Sequence, residues 1–338
     1  MSFHPAKCSA FLSELGSGLE KPTCGPAGNA NFPTMDQTPF RRILVMGCSR
    51  SGTTLLQSLL ANHSQVHTFP ETGVFLKALG MRGRVLPWVH LGLTVGKERK
   101  ALAKLLATQE RGRGRLLPNP SRLPEVPPRT LSLARSMADS AAFLDHLALA
   151  HGKRVWVEKT PRHVFHARRI GRMVPGVVCI HVLRKGEDVV ASIVDRARRY
   201  PDHFPHQADP SYGIRQWNQS VEATGLALED PGHVVVFYDG LVFDVGGTLR
   251  SLCRIVGMEF EPGMMSPADR GAFTAPQEEW KAGVEKTVSA AGSKFEAMFD
   301  EATRARVRQR LKTKNFDALQ ALAGEHPGGV IDSRANRL

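Results

Sequence analysis

Five short apolar runs alternate along this chain with segments of helical spacing, and this alternation constrains the fold more than any other feature of the sequence. The runs are rich in Val and Ile: "ILVMG" (43–47), "VHTF" (66–69), "RVWVEK" (154–159), "VVCIHVL" (177–183) and "HVVVFY" (233–238). Such nearly continuous apolar strands are typical of a parallel sheet that is covered on both faces. Helix-like segments such as "SGTTLLQSLLANH" and "EDVVASIVDRARRY" separate them. The sequence therefore predicts an α/β fold with a doubly wound parallel sheet.

The segments outside this alternation indicate the domain limits. Residues 1–39 are rich in Gly, Pro, Ser and Asn and predict a disordered tail. We expect a single domain over 40–325 and a second tail over 326–338. Residues 80–151 interrupt the alternation with a proline-rich stretch and a helical one that stops at Gly152. We interpret this block as a helical insert over the functional edge of the sheet; a packing layer that does not touch substrate is the alternative.

Composition excludes several classes of protein. A chain of 338 residues with 42% hydrophobic content can bury a sizeable core, and it contains no run of 18 apolar residues, so no membrane span is predicted. The N-terminal sequence lacks the charged start, apolar stretch and cleavage site of a signal peptide. Five scattered cysteines without a CxxC pair indicate a reduced, cytoplasmic protein: Cys8, Cys24, Cys48, Cys179 and Cys253.

The formal net charge of +13 raises the question of a polyanionic partner. The basic residues do not form one stripe with interleaved aromatic residues, which make up only 7% of the chain. A basic protein can equally bind small molecules that carry several negative charges. We therefore predict a small anionic ligand and no nucleic acid.

The strongest local signal is a glycine loop within "LVMGCSRSGTTLLQSLL", residues 44–60. Gly47 and Gly52 have the spacing of the nucleotide-triphosphate loop G-x-x-x-x-G-K-[ST], and Thr54 fills the hydroxyl position, but Thr53 replaces the lysine. Glycines let backbone N–H groups surround an anion, and the next helix points its positive end at it. The missing lysine argues against a γ-phosphate. An ordinary strand–helix turn is the alternative.

Polar side chains that suit an anion also follow the other predicted strands. Arg184 ends the fourth run and can bind a phosphate through its guanidinium fork, and Ser192 and Arg196 follow it at helical spacing. The remaining strand ends carry Glu71, Glu158, Lys159, Thr160 and Tyr238. Because ligands of parallel sheets bind at the carboxyl ends of the strands, we expect these groups along one edge. The pattern favours a ligand with two separated phosphate-like groups.

Two of these segments resemble the cofactor motifs of sulfotransferases. "SRSGTTLL" resembles their 5′-phosphosulfate loop, and "HVLRKGEDVVASIV" resembles their 3′-phosphate segment, in which an arginine and a serine eight positions apart hold the ribose phosphate. "FPETGVF" and "EKTPRH" are similar to segments of the branch that contains tyrosylprotein and bacterial glycan or small-molecule sulfotransferases. The resemblance spans residues 42–285. It implies 3′-phosphoadenosine 5′-phosphosulfate (PAPS) as co-substrate, adenosine 3′,5′-bisphosphate as product, and no metal.

The resemblance also implies roles for individual residues. Glu71 would be the general base, with a helix-capping carboxylate as the alternative, while Arg50 and Lys159 would stabilise charge on the transferred group. The implied cofactor-binding set is Arg50, Ser51, Gly52, Thr53, Thr54, Arg184, Ser192, Arg196, Tyr238 and Lys281. Tyr238 has a core aromatic as its alternative. No histidine stands in the context of the histidine base of other sulfotransferases, although His163 in "TPRH" is a further candidate near the acceptor.

The sequence is compatible with several classes of acceptor. Hydroxyl groups of small molecules, carbohydrates and peptide tyrosines all suit a glutamate base, and the absence of a signal sequence favours a small molecule or a carbohydrate. Two other functions stay open: a metal-dependent nucleotide kinase or phosphatase, and a nucleotide-binding protein without catalysis. The sequence gives no prediction of oligomeric state.

Overall fold

A computed structural model of the chain describes residues 40–79, 133–266 and 294–335. Six strands form one sheet in the order β2-β3-β1-β4-β5-β6. The first five are parallel, and β6 is antiparallel to β5. The strands are β1 Arg41–Gly47, β2 Val66–Phe69, β3 Val155–Lys159, β4 Val177–Leu183, β5 His233–Phe237 and β6 Val330–Asp332.

Helices connect these strands and continue beyond β5. The α-helices are α1 Thr53–Ala61, α2 Val74–Ala78, α3 Leu133–Ala150, α4 Ala167–Met173, α5 Gly186–Arg199, α6 Pro210–Ala227, α7 Tyr238–Phe243, α8 Val245–Val256, α9 Lys294–Met298, α10 Glu301–Arg310 and α11 Lys314–Gly324. Short 3₁₀ helices cover Pro161–His166, Pro262–Met265 and Pro327–Gly329. No helix in the described ranges is long and apolar enough to cross a membrane.

The side chains of β1 alternate between the two faces of the sheet, and helices cover both faces. Ile43 and Val45 pack with apolar residues of α1 and α8, whereas Leu44 and Met46 pack with those of α3 and α4. All four side chains are fully buried. Burying each of them contributes roughly 1.5–3 kcal/mol relative to exposure. The predicted doubly wound α/β fold is therefore confirmed.

The position of β1 in the sheet decides where a ligand can bind. From β1 the chain first builds one side of the sheet, with β2 and β3, and then crosses to the other side to form β4 and β5. In open parallel sheets such a reversal of direction leaves a crevice at the carboxyl ends of the strands, where ligands bind. The loop after β1 thus lies between the ends of β3 and β4.

The C-terminal limit of the domain was predicted too early. Residues 326–338 were expected to be a tail, but Val330 and Ile331 are buried and pair with Val236 and Val235 of β5. The strand contains only three residues, Val330–Asp332, and it follows a Pro-Gly-Gly turn. A three-residue apolar run beside a turn is too short to give a periodic signal, whereas the open edge of β5 readily accepts it.

Only one helix of the predicted insert lies in the described part of the chain. In α3, Met137, Ala141, Leu144 and Ala148 are buried against the sheet at spacings of three and four residues. The helix stops where the sequence predicts, because Gly152 has a φ of 68°. This helix packs on one face of the sheet. The tail over 1–39, residues 80–132 of the insert and Lys281 lie outside the described residues.

Candidate active site

The segment between β1 and α1 forms a tight loop at the centre of the sheet edge. Gly47 passes so close to β4 that an added Cβ would lie 2.4 Å from the carbonyl oxygen of Val182. Arg50 has a φ of 75°, a left-handed conformation that side chains other than glycine rarely adopt and that is concentrated at functional sites. Ser51 Oγ donates to the carbonyl of Cys48 at 2.7 Å. Its hydroxyl therefore closes the loop onto its own backbone.

The first turn of α1 emerges from this loop without a cap. No side chain in the described ranges accepts a hydrogen bond from its N-terminal amides. Thr53 is buried and Thr54 half-buried. Gly52 has a φ of 100°, and a Cβ there would lie 2.4 Å from Cδ2 of Tyr238, so the tyrosine ring packs directly on the glycine. Open N–H groups and the positive end of the helix dipole favour an anion at this position.

Two arginines converge beside the loop from different elements. Arg50 Nε donates to Ser192 Oγ at 3.0 Å, and the guanidinium of Arg184 lies 4.3 Å from the centre of the Tyr238 ring. Arg184 Nη2 is 3.6 Å from Asp188 Oδ2, while its buried Nε has no hydrogen-bond partner among the described residues. Burial, followed by the positive charge of Arg184, lowers the pKa of Arg50. The two guanidinium groups are close enough to repel each other, and an anionic ligand between them would relieve that repulsion.

A third arginine, Arg196, is already engaged within the protein. It donates to Ser49 Oγ at 3.1 Å and to Gln207 Oε1 at 2.6 Å, and its guanidinium lies 4.0 Å from the centre of the Phe204 ring. Burial, and next the charge of Arg50, lowers the pKa of Arg196 to about 10. Arg196 therefore ties the glycine loop to the segment between α5 and α6. No sequence pattern indicates the contacts of Phe204 and Gln207, because these contacts depend on how that segment folds back.

Glu71 and Lys159 follow neighbouring strands and form an ion pair. The side chain of Lys159 is 1% exposed, whereas that of Glu71 is 33% exposed. Burial dominates the pKa of Arg196, but the carboxylate of Glu71 acts in the opposite direction and raises it. Glu71 thus lies within electrostatic reach of the arginine cluster. Its carboxylate is partly exposed and therefore accessible to a substrate, as a general base requires.

Behind this pair lies a buried carboxylate, Glu158, to which the sequence assigns no role. Its Oε1 accepts hydrogen bonds from Thr72 N at 3.0 Å, Thr72 Oγ1 at 2.8 Å and Thr160 Oγ1 at 2.6 Å. Its Oε2 lies 3.3 Å from His163 Nδ1. Burial raises the pKa of Glu158, but His163 and the hydroxyl donors outweigh it, so the pKa lies below its ordinary value. His163 is fully buried, and this burial argues against the role of a base near the acceptor.

Most of the residues singled out from the sequence thus gather at one edge of the sheet. One group consists of the glycine loop with Arg184, Ser192 and Tyr238, and the other of Glu71 and Lys159; Arg196 contacts the loop from α5. Lys281 lies outside the described residues. Within the described ranges, no group of three His, Cys, Asp or Glu side chains is arranged to hold a metal ion.

Comparisons with known proteins agree with this geometry. The model of a family described as "Sulfotransferase family" matches residues 42–262. None of the curated proteins matches the chain significantly. Among solved structures, the sulfotransferase domain from the Synechococcus PCC 7002 olefin synthase is similar with a TM-score of 0.51 and 18% identity, over 80% of this chain and 94% of that one. At this identity the likeness shows a common fold.

Two further solved structures are more distant. Sulfotransferase STF1 from Mycobacterium tuberculosis H37Rv has a TM-score of 0.44 and 17% identity, over 81% of this chain and 77% of that one. Mouse sulfotransferase SULT7A1, complexed with PAP, has a TM-score of 0.45 and 12% identity, over 85% of this chain and 89% of that one.

Proposed function

Because the chain belongs to the sulfotransferase family, we propose that it transfers the sulfuryl group of PAPS to a hydroxyl group, with Glu71 as the general base. The proposed acceptor is a small molecule or a carbohydrate. The observation that carries the proposal is the convergence of the glycine loop, the two arginines and the Glu71–Lys159 pair on one edge of the sheet.

The donor side of the site fits a ligand with two anionic groups. The uncapped start of α1 and the loop amides suit the 5′-phosphosulfate. Arg184, with its buried and unpartnered Nε, and Ser192 suit the 3′-phosphate. The lowered pKa of Arg50, caused first by burial and then by Arg184, is what an anion between the two arginines would relieve. Tyr238 would sit between these groups, where its ring contacts both Gly52 and Arg184.

On the acceptor side, the reaction needs one proton removed and one leaving group stabilised. PAPS supplies an activated sulfuryl group whose bond to the bridging phosphate oxygen breaks as the acceptor oxygen attacks sulfur. Glu71 would accept the proton of the acceptor hydroxyl, for which its exposed third leaves access. Lys159 pairs with the Glu71 carboxylate and would stabilise charge on the transferred group.

Arg196 takes a different part in this proposal from the one implied by the family resemblance. Two of its guanidinium nitrogens already donate to Ser49 and Gln207, and its buried Nε has no hydrogen-bond partner among the described residues. We therefore assign it to fixing the conformation of the phosphosulfate loop, and the 3′-phosphate to Arg184 and Ser192. Thr53, at the position of the lysine in nucleotide-triphosphate loops, brings no charge that would favour a γ-phosphate.

Calorimetry tests the donor side. The chain should bind adenosine 3′,5′-bisphosphate much more tightly than AMP, and Arg184→Ala should remove most of the difference. A charge-assisted fork contributes about 1.5–3 kcal/mol, which corresponds to roughly 10- to 150-fold in affinity. Arg172→Ala, which removes an exposed arginine that pairs with Asp230, is the matched control and should change nothing. Equal affinity for both nucleotides would remove the case for a 3′-phosphate site.

The acceptor side is tested by Glu71→Gln with radiolabelled PAPS and a panel of small-molecule and carbohydrate acceptors. A general base typically contributes about 10²–10⁴-fold to the rate. The variant should therefore lose at least about 100-fold in sulfuryl transfer while its affinity for the bisphosphate stays within a few-fold of the parent. The loss should be smaller for acidic hydroxyls such as nitrophenols. Full activity in the variant would leave Glu71 as a structural residue.

A further inference from the structure

The segment that carries Glu71 has no regular secondary structure of its own. It spans residues 70–73, between the end of β2 at Phe69 and the start of α2 at Val74. A free segment of this kind would give the Glu71 carboxylate many positions, whereas catalysis by a base requires one. Something outside the segment must therefore fix it.

The fixing contacts come from the end of β3. Oε1 of Glu158 accepts both the backbone N–H and the hydroxyl of Thr72, the residue next to Glu71. Thr160 Oγ1 donates to the same oxygen and accepts from the N–H of Gly73 at 3.1 Å. Thr72 Oγ1 in turn accepts from the N–H of Val74 at 3.2 Å. The backbone on the C-terminal side of Glu71 is thus held by a chain of hydrogen bonds that ends on one carboxylate.

Glu158 is a costly residue to place there. It is 0% exposed, and the effective penalty for burying a carboxylate is several kcal/mol unless it is paired and hydrogen-bonded. Its other oxygen lies 3.3 Å from Nδ1 of His163, which is also fully buried. This oxygen and both ring nitrogens of His163 have no hydrogen-bond partner among the described residues, so the contact between the two side chains is electrostatic. Packing alone does not require such a pair.

We propose that Glu158, supported by His163, is a positioning residue that holds Glu71 against Lys159 through Thr72 and Thr160. The proposal rests on the function proposed above, since it assigns the network to the base of that reaction. It adds a requirement for residues that touch neither donor nor acceptor. It also explains why Glu158 and Lys159 stand side by side in β3: one side chain fixes the backbone next to Glu71, and the other pairs with its carboxylate.

Two substitutions at Thr72 test the proposal with little change in volume. Thr72→Val removes the hydroxyl that donates to Glu158, and Thr72→Ser retains it. Because small displacements of a catalytic group cost up to about 100-fold, we expect Thr72→Val to lower kcat by about 10- to 100-fold, with bisphosphate affinity within about two-fold of the parent. Thr72→Ser should stay within about three-fold of the parent rate. Glu158→Gln should resemble Thr72→Val.

Thr248→Val in α8 is the control for loss of a buried hydroxyl. The Oγ1 of Thr248 donates to the carbonyl of Gly328. The variant should leave kcat unchanged. Parent-like kcat in Thr72→Val, or an equal loss in Thr248→Val, would overturn the proposal.

A second readout does not depend on activity. Hydrogen exchange at the amides of residues 71–74 should speed up in Thr72→Val and Glu158→Gln, but not in Thr72→Ser or Thr248→Val. Unchanged exchange in the first two variants would refute the positioning role even if the parent enzyme transfers sulfuryl groups as proposed. Faster exchange together with a fully active Glu71→Gln variant would instead retain the network and refute Glu71 as the base.

Discussion

The ion pair between Lys159 and Glu71 is unequal in its burial, and this inequality predicts an asymmetric response to mutation. Lys159 is 1% exposed and Glu71 is 33% exposed. Glu71→Gln removes the carboxylate and leaves an ammonium group inside the protein. Lys159→Met removes the ammonium and leaves a carboxylate that reaches water. The first change should therefore destabilise the protein more than the second.

The exposed fractions of the two side chains determine how much the stability losses of Glu71→Gln and Lys159→Met differ. Removing one partner of a fully buried pair costs about 3–5 kcal/mol, and because a third of Glu71 is solvated we expect about 2–3 kcal/mol for Glu71→Gln. Lys159→Met should cost about 0–1 kcal/mol, since methionine fills the space of the lysine stem and the remaining carboxylate is hydrated. The double variant contains no buried ammonium and should also lose only about 0–1 kcal/mol, so the coupling energy is about 2 kcal/mol.

Urea unfolding at pH 7 of the parent, the two single variants and the double variant measures this cycle. In a thermal scan Glu71→Gln should lower Tm by roughly 3–5 °C. Glu301→Gln is the control, because Glu301 is 77% exposed in its ion pair with Arg304 and its loss should change the free energy of unfolding by less than about 0.5 kcal/mol. A larger loss in Lys159→Met than in Glu71→Gln, or a double variant whose losses simply add, would refute the reasoning.

Two further predictions concern other parts of the sheet. Burial lowers the pKa of His233 to about 4 and that of His181 well below its ordinary value. Below pH 6.5 the unfolded chain therefore binds protons that the folded protein does not, and the free energy of unfolding should fall as the pH drops toward 4. His233 alone should lower it by roughly 2 kcal/mol at pH 5 relative to pH 7. Urea midpoints at pH 7 and 5 measure this, and a His233→Asn variant with the same pH dependence would contradict it. Gly52→Ala should lower bisphosphate affinity at least about ten-fold, because its Cβ would displace Tyr238. Gly225→Ala is the control, because its Cβ would meet only Asn315 Nδ2, at an ordinary contact distance of 4.0 Å. An unaltered calorimetric affinity in Gly52→Ala would show that the loop tolerates a side chain there.

The sequence predicts the sheet well where strands are buried on both faces. In β1 and β4 every second residue faces a different helix layer, so the run must be apolar throughout and is easily recognised. The same holds for the glycine loop, whose spacing reflects backbone conformations at Gly47 and Gly52 that other residues rarely adopt. Arg184 was found because it follows a strong strand.

What the sequence does not reveal are contacts that depend on long-range packing. Phe204 and Gln207 reach Arg196 only because the segment after α5 turns back, and nothing in its sequence indicates that turn. The pair of histidines at 163 and 166 is spaced like a helix face, yet His163 is buried beside Glu158 and His166 is exposed. The local pattern cannot distinguish these environments, since both residues lie in one 3₁₀ turn.

The strand order also divides the proposed reaction along the chain. Strands β2 and β3, which end in Glu71 and Lys159, lie on one side of β1, and β4 and β5, which end in Arg184 and Tyr238, lie on the other. Residues 80–132 are covalently part of the first side, because they connect α2 to α3. Under the proposed function, a single crossover with a relative between β3 and β4 would exchange the proposed base, its lysine partner and the phosphosulfate loop as one unit. It would leave the proposed 3′-phosphate half, with Arg184 and Tyr238, in place.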